Sequence, residues 1–391
     1  MKKIIPYSTQ TISKIDIESV VKVLKSDFLT QGPKVEEFEK TFSKKVKAKY
    51  AVAFNSATSA LHASCLALNL KKNEALWTVP NTFVASANCS LLAGGKVDFI
   101  DIDPKTYNIN INLLEEKLKF FKNKKKLPKI VVPVHFGGNP VDQDKIWKLS
   151  QKYNFKILED ASHSLGANYK SEPVGSCRWS DITVFSFHPV KIITTIEGGI
   201  ATTNNYELYK KLKMIGSHGI TKSKLNFKKK TNDPWYYEQQ LLGLNYRMSD
   251  ISAALGLSQL KKLDHFIQKR NEIASIYEKN LITPFLEKPK IAKYSRSSFH
   301  LYVVKLKKEQ KKFHKKLFNF LKKKNILVNL HYIPVHLHPF YKSLGFKSGD
   351  FKYSEEHAQS VISLPIYPDL KKKKIMYIIN LIHKFFKKIK R

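Results

Sequence analysis

The sequence predicts an α/β fold: a mostly parallel sheet covered by helices, followed by a smaller α+β unit. Three observations carry that expectation. Short apolar runs rich in β-formers alternate with helical patterns as far as about residue 255. Several of these runs end in small, polar or acidic residues, and open α/β sheets place their ligands at the carboxyl ends of strands. The chain has 391 residues, 42% of them apolar, enough for a substantial core and for more than one domain.

Seven strands are predicted, over residues 51–54, 75–79, 97–100, 130–135, 156–159, 182–186 and 199–202. From Ile251 a long helical pattern, ISAALGLSQLKKLDHFIQKRNEIASIYEKNL, leads out of the sheet. The domains are accordingly placed at 1–255 (large) and 256–391 (small). The small domain is expected to contain a strand in HLYVVKL, a Lys-rich helix and a second strand in NILVNLHYIP. A last helix, 375–391, sets Ile375, Ile378, Ile379, Ile382, Phe386 and Ile389 on one face. That stripe reads as core packing rather than as a membrane-surface helix. Residues 117–129 and 222–233 read as exposed basic segments.

The chemistry is expected at three strand ends. In DITVFSFHPVKIITTIEGG a buried strand runs into Ser186, His188 and Lys191, followed by Gly198 and Gly199. A partly desolvated lysine loses its proton readily and becomes a nucleophile for Schiff-base chemistry. One lysine among dozens is weak testimony, since most are solvated. The segment FKILEDASHSLG adds Glu159–Asp160 at another strand end, with His163 three residues on. An acid there suits pyridoxal phosphate, whose pyridinium nitrogen needs a carboxylate partner; Asp160 could equally cap a following helix. In VAFNSATSAL a strand meets a helix start, whose free N–H groups cradle phosphate or simply accept a capping hydroxyl. Phe83, in VPNTFVASAN, reads as a core aromatic or as a ring-stacking face.

Taken in order, NSATSAL, TFVASAN, FGGNPVD, ILEDASHSLGA, SFHPVKIITTIEGG and LNYRMSDISAALG make the chain similar to the DegT/DnrJ/EryC1/StrS sugar aminotransferases. The resemblance runs from Tyr7 to His336. It implies a fold-type-I, pyridoxal phosphate-dependent enzyme with a seven-stranded large-domain sheet, working as a homodimer with shared active sites. It implies Lys191 as the cofactor-bonding lysine, Asp160 as the partner of the ring nitrogen, His163 near the ring's phenolic oxygen and Phe83 as the stacking aromatic. Ala57, Thr58 and Ser186 match phosphate-binding positions, and Asn245 one that reaches the other subunit's cofactor phosphate. Tyr7, Asp27, Phe28, Leu29, Thr30, Asn329, Leu330, His331 and Tyr332 align with segments lining a nucleotide-sugar pocket, Asn329 standing where glutamine is usual. Some members carry histidine in place of the lysine and dehydrate sugars; Lys191 argues against that branch. SFHPVK, YYEQQLLGLNYR and QLKKLDHF look most like the branch of pseudaminic acid biosynthesis, implying a UDP-linked 4-keto sugar substrate and L-glutamate as donor. Amination of another keto nucleotide sugar, of bacillosamine or perosamine type, is the alternative.

The net charge of +37 comes from 69 Lys and Arg against 32 Asp and Glu. Only five of the cations are arginine, whose bidentate fork dedicated phosphate and base readers favour. A basic nucleic-acid-binding protein on the same fold is therefore the remote alternative, and no nucleic-acid or membrane partner is expected. A positive field still favours an anionic nucleotide diphosphate. No run approaches the ~20 apolar residues of a span, and MKKIIPYSTQ has no apolar signal core. Cys65, Cys89 and Cys177 are scattered, as in a reducing cytoplasm. His331, His336 and His338 have no neighbouring acid or cysteine, so no metal is expected.

Overall fold

The computed structural model describes residues 4–231 and 233–389. Seven strands form the central sheet: β1 (Tyr50–Phe54), β2 (Ala75–Thr78), β3 (Lys96–Phe99), β4 (Ile130–Val131), β5 (Lys156–Asp160), β6 (Ile182–Ser186) and β7 (Gly199–Thr203). Their order across the sheet is β1-β7-β6-β5-β4-β2-β3. All run parallel except β7, which is antiparallel to both neighbours. The expected strand at 130–135 is shorter than read: pairing stops at Val131 apart from a single bridge at Val134, because Pro133 has no N–H to give the ladder.

Alternation along the strands feeds two cores. In β1, Val52 and Phe54 face the helix Ala57–Ala67, while Ala51 and Ala53 face Phe38 and Phe42 of the helix Pro33–Val46. The small domain carries an antiparallel sheet of β8 (Leu286–Glu287), β9 (Tyr302–Leu306) and β10 (Val361–Leu364). Helices Leu263–Asn280, His314–Lys323 and Lys372–Ile389 cover it. In the last helix Ile375, Ile378, Ile379, Ile382 and Phe386 are buried, which makes its apolar stripe core and not a membrane face; each such side chain contributes about 1.5–3 kcal/mol. Residues 390 and 391 of the expected helix lie outside the described residues. Among the described residues no helix is long and apolar enough to cross a membrane.

Three expectations need correction. The helical pattern from Ile251 is two helices, Asp250–Leu260 and Leu263–Asn280, broken where Ser258, Gln259 and Lys262 all turn their side chains onto the buried carboxylate of Asp16. NILVNLHYIP is not a strand. Its backbone is shared out instead among Ile5, Ser363 and the side chain of Asn81, leaving single bridges at Ile326 and Asn329. Lys117 is not a free surface charge: its Nζ lies 2.6 Å from Asp98 and over the buried Trp77 ring.

Candidate active site

The site forms where β5 and β6 end side by side. Asp160 is the last residue of β5 and is buried. No helix follows it, so its carboxylate caps a turn: Oδ1 accepts the Ser162 N–H at 3.0 Å. Oδ2 accepts from Ser86 Oγ at 2.6 Å. A carboxylate can only accept, so Ser86 donates, and its 2.8 Å contact with Thr82 Oγ1 must run with Thr82 as donor. Ser86 and Thr82 flank Phe83 in TFVASAN, and sequence reasoning missed both. The small, hydroxyl-bearing character of that motif was the available signal.

Lys191 follows β6 in a turn closed by its own N–H on the His188 carbonyl at 2.9 Å. Desolvation pulls its ammonium down to about 8, the Asp160 charge opposing. Such an amine is about one-tenth neutral at pH 7, against under about one in a thousand for an ordinary lysine.

Beyond Asp160 lies His163, buried and held neutral by desolvation, with the charge of Lys191 adding to the effect. Its Nδ1 accepts the Gly137 N–H at 3.2 Å. That N–H is aimed by consecutive left-handed residues, Gly137 at φ 64° and Gly138 at φ 91°, which explains the paired glycines of FGGNPVD. Its Nε2 lies 3.0 Å from the Tyr332 hydroxyl. The Tyr332 N–H donates to Asn81 Oδ1 at 3.0 Å, and the Val335 N–H to the Pro80 carbonyl at 2.8 Å. The irregular segment after Ile326 is thereby fastened beside Phe83, which is 59% exposed, far more than a core aromatic.

The other predicted residues divide into two groups. His331 is buried, its Nδ1 2.7 Å from Ser363 Oγ, and desolvation lowers its pKa to about 3. Asn329 Nδ2 reaches its ring at 3.5 Å, Tyr7 packs on it with centroids 5.5 Å apart, and Leu330 joins Tyr7 and Tyr332 in one apolar cluster. Of these, His331 lies close enough to Lys191 to feel its charge. Asp27, Phe28, Leu29 and Thr30 are exposed and tied instead to the start of the helix Asp250–Leu260, through Leu29 to Asp250 and Thr30 to Ser249. Asn245 is also exposed, its carbonyl accepting from Asn55 Nδ2 at 3.3 Å.

The start of the helix Ala57–Ala67 has the form that could cradle a phosphate. Ser56 Oγ takes the Ser59 N–H at 3.0 Å, and the helix itself offers no acceptor to the N–H groups of Ala57 and Thr58. Gly199 makes the approach possible, since a Cβ there would stand 2.5 Å from the Ala57 nitrogen. Ser186 pairs directly with Gly199 across β6 and β7, which brings the three predicted phosphate positions together.

The DegT/DnrJ/EryC1/StrS aminotransferase family matches residues 10–383. The UDP-4-amino-4,6-dideoxy-N-acetyl-β-L-altrosamine transaminase of Campylobacter jejuni is 41% identical over 392 residues, 99% of each chain. The structure of Helicobacter pylori PseC, an aminotransferase involved in the biosynthesis of pseudaminic acid, superposes with a TM-score of 0.89 at 33% identity, covering 99% of this chain and 100% of that one. The PLP-form of Spr1654 from Streptococcus pneumoniae does so with a TM-score of 0.87 at 28% identity, covering 97% of each. The residues present fit that cofactor: an amine that gives up its proton far more readily than an ordinary lysine, a buried carboxylate with lone pairs to spare, and a helix start that a single Cβ would fill. The chain belongs to the DegT/DnrJ/EryC1/StrS aminotransferase family and is a pyridoxal phosphate-dependent sugar aminotransferase.

Proposed function

We propose that the enzyme moves an amino group from L-glutamate to C4 of UDP-2-acetamido-2,6-dideoxy-β-L-arabino-hex-4-ulose. The product is UDP-4-amino-4,6-dideoxy-N-acetyl-β-L-altrosamine, an intermediate of pseudaminic acid biosynthesis. The observation that carries this reading is the 41% identity, end to end, with the Campylobacter jejuni enzyme of that name. When bound, pyridoxal phosphate stores the amino group between the two halves of the reaction and takes up electrons into its ring.

The chain's own residues do the rest. Lys191 takes a proton from the donor's α-carbon and returns one at the sugar's C4, acting as base and then acid. Asp160 keeps the ring nitrogen protonated. The N–H groups of Ala57 and Thr58, with Ser186, hold the phosphate, and Phe83 stacks on the ring. Tyr7, Asn329, Leu330, His331 and Tyr332 enclose the sugar nucleotide. Asp27, Phe28, Leu29 and Thr30 line its outer part. The exposed Asn245 serves the cofactor phosphate of a second subunit, so the working unit is a homodimer, and sedimentation at twice the 45.1 kDa chain mass checks it. We place it in the cytoplasm; the three unpaired, buried cysteines support that.

Assaying both C5 epimers of the keto sugar, with product NMR, tests the substrate. The L-arabino sugar is expected to be preferred by about a hundredfold, because a C4 displaced by an ångström loses roughly that much. Preference for the D-xylo epimer would move the enzyme to a bacillosamine-type pathway with its chemistry intact.

A further inference from the structure

We infer that Glu159 is a second buried anion of the site, standing behind Asp160 and helping it to hold the proton on the cofactor's ring nitrogen. The inference rests on the place given above to Asp160. Glu159 precedes Asp160 in β5, so the two side chains leave opposite faces of the sheet, their Cα atoms about 3.8 Å apart. Glu159 is the more deeply buried of the two, at 1% exposure. It touches no reacting atom, and its role is that of a positioning charge.

Its surroundings suit a carboxylate and not a carboxylic acid. Oε1 accepts from Gln143 Nε2, and Oε2 accepts from Thr183 Oγ1 at 2.7 Å and Ser180 Oγ at 3.1 Å. These donors come from the helix Gln143–Tyr153, from β6 and from the turn before it. His135 Nε2 stands 3.5 Å from Oε1. Its Nδ1 accepts the Val141 N–H at 3.1 Å, so the ring carries its one proton on Nε2 and is neutral. Donors therefore converge on Glu159 from all sides, while no lysine or arginine pairs with it among the described residues. Burial pushes its carboxyl up; the donors around it prevail and hold it below the usual range. The Cys177 thiol, pushed up to about 11 chiefly by burial, is raised by the Glu159 charge as well.

Two buried carboxylates in tandem then act on one proton. Lys191 and Tyr332 face Asp160, and His135 and Cys177 face Glu159; of these four only Lys191 can bring a positive charge. A negative charge inside the sheet raises the proton affinity of a nitrogen bound at the tip of β5. At a distance of ~10 Å that effect is worth about one pH unit.

Nitrogen NMR of holoenzyme loaded with cofactor labelled at the ring nitrogen tests this with neither sugar nor amino donor present. Glu159→Gln removes the charge and keeps the bonding, since the Thr183 and Ser180 hydroxyls can turn to accept from the new amide. Its ring nitrogen should lose its proton about one pH unit below the wild-type midpoint, about a tenfold loss of proton affinity. Glu159→Asp keeps the charge and should stay near the wild-type midpoint. An unmoved midpoint in Glu159→Gln overturns the inference, and so do equal shifts in the two variants, which would show fit and not charge at work. Should Glu159→Gln fail to fold, Gln143→Lys sets an ammonium against Oε1 and leaves β5 untouched. It should lower the midpoint in the same way, and no change there overturns the inference. Asp160→Asn separates this inference from the reading beneath it: its ring nitrogen should be unprotonated, and a protonated one would remove Asp160 from its place and Glu159 with it.

Discussion

The strand ends at Asp160 and Lys191 and the irregular segment after Ile326 both line the site, but they are held there by different means. At the strand ends, backbone pairing does the placing: β5 and β6 run in register from Leu158 with Ile182 to Asp160 with Val184, and the side chains at their tips have little freedom. The segment has almost no ladder of its own. Tyr332 is set by the Asn81 side chain, Val335 by the Pro80 carbonyl, His331 by Ser363, and His336 by Glu355 at 2.9 Å. On the proposed function, the chemistry rests on the regular part, and recognition of the variable substrate on the part that can be re-pinned one bond at a time.

The largest effect is expected at the regular end. Lys191→Ala should lower transamination by about a thousandfold or more and remove covalent attachment of the cofactor, read as loss of the visible band. The pH dependence of loading sharpens the point. Only the neutral amine attacks, and desolvation lowers its pKa to about 8, so the rate of loading apoprotein should climb about tenfold per unit below pH 8 and flatten above it. A rate still climbing at pH 10 would show a solvated lysine and end the contrast drawn above.

Next comes Asp160→Asn, which keeps the shape but loses the charge that holds the ring nitrogen protonated. Turnover should fall about a hundredfold or more, with cofactor still bound through its phosphate. Ser86→Ala should cost less, about tenfold, since it removes one charged hydrogen bond and leaves that from Ser162. Equal losses in the two variants would mean that the serine, and not the strand, positions the carboxylate.

The same contrast explains what was legible in the sequence. Strands β5 to β7, Lys191, Asp160 and the helix start at Ala57 are local patterns, an apolar run followed by its polar tip, and need no knowledge of distant residues. The segment NILVNLHYIP has equally strong β-formers, yet it is no strand, because β10 offers its free edge only at Ser363 and Pro334 interrupts any ladder. Ser86, Asn81 and Gly137 escaped notice for a related reason. Each acts on a partner at least 26 positions away in the chain, which no window of residues reveals.

Asn81 allows the smallest and most discriminating test. Its Oδ1 must face the Tyr332 N–H, which fixes the orientation of the amide and leaves Nδ2 buried without a partner among the described residues. Asn81→Ala thus removes an acceptor that is used and a donor that is not. The part-buried Tyr332 N–H would lose its bond, a penalty of about 1–3 kcal/mol at most, partly offset by relief of the orphaned Nδ2. A net loss of about 1 kcal/mol in stability is expected, with a severalfold rise in KM for the keto sugar and little change in KM for the amino donor. Equal rises in both KM values would place Asn81 in support of the whole cofactor pocket. A lower Tm with neither KM changed would mean that the bonds of His331, Val335 and His336 suffice to hold the segment, and that its pins are redundant.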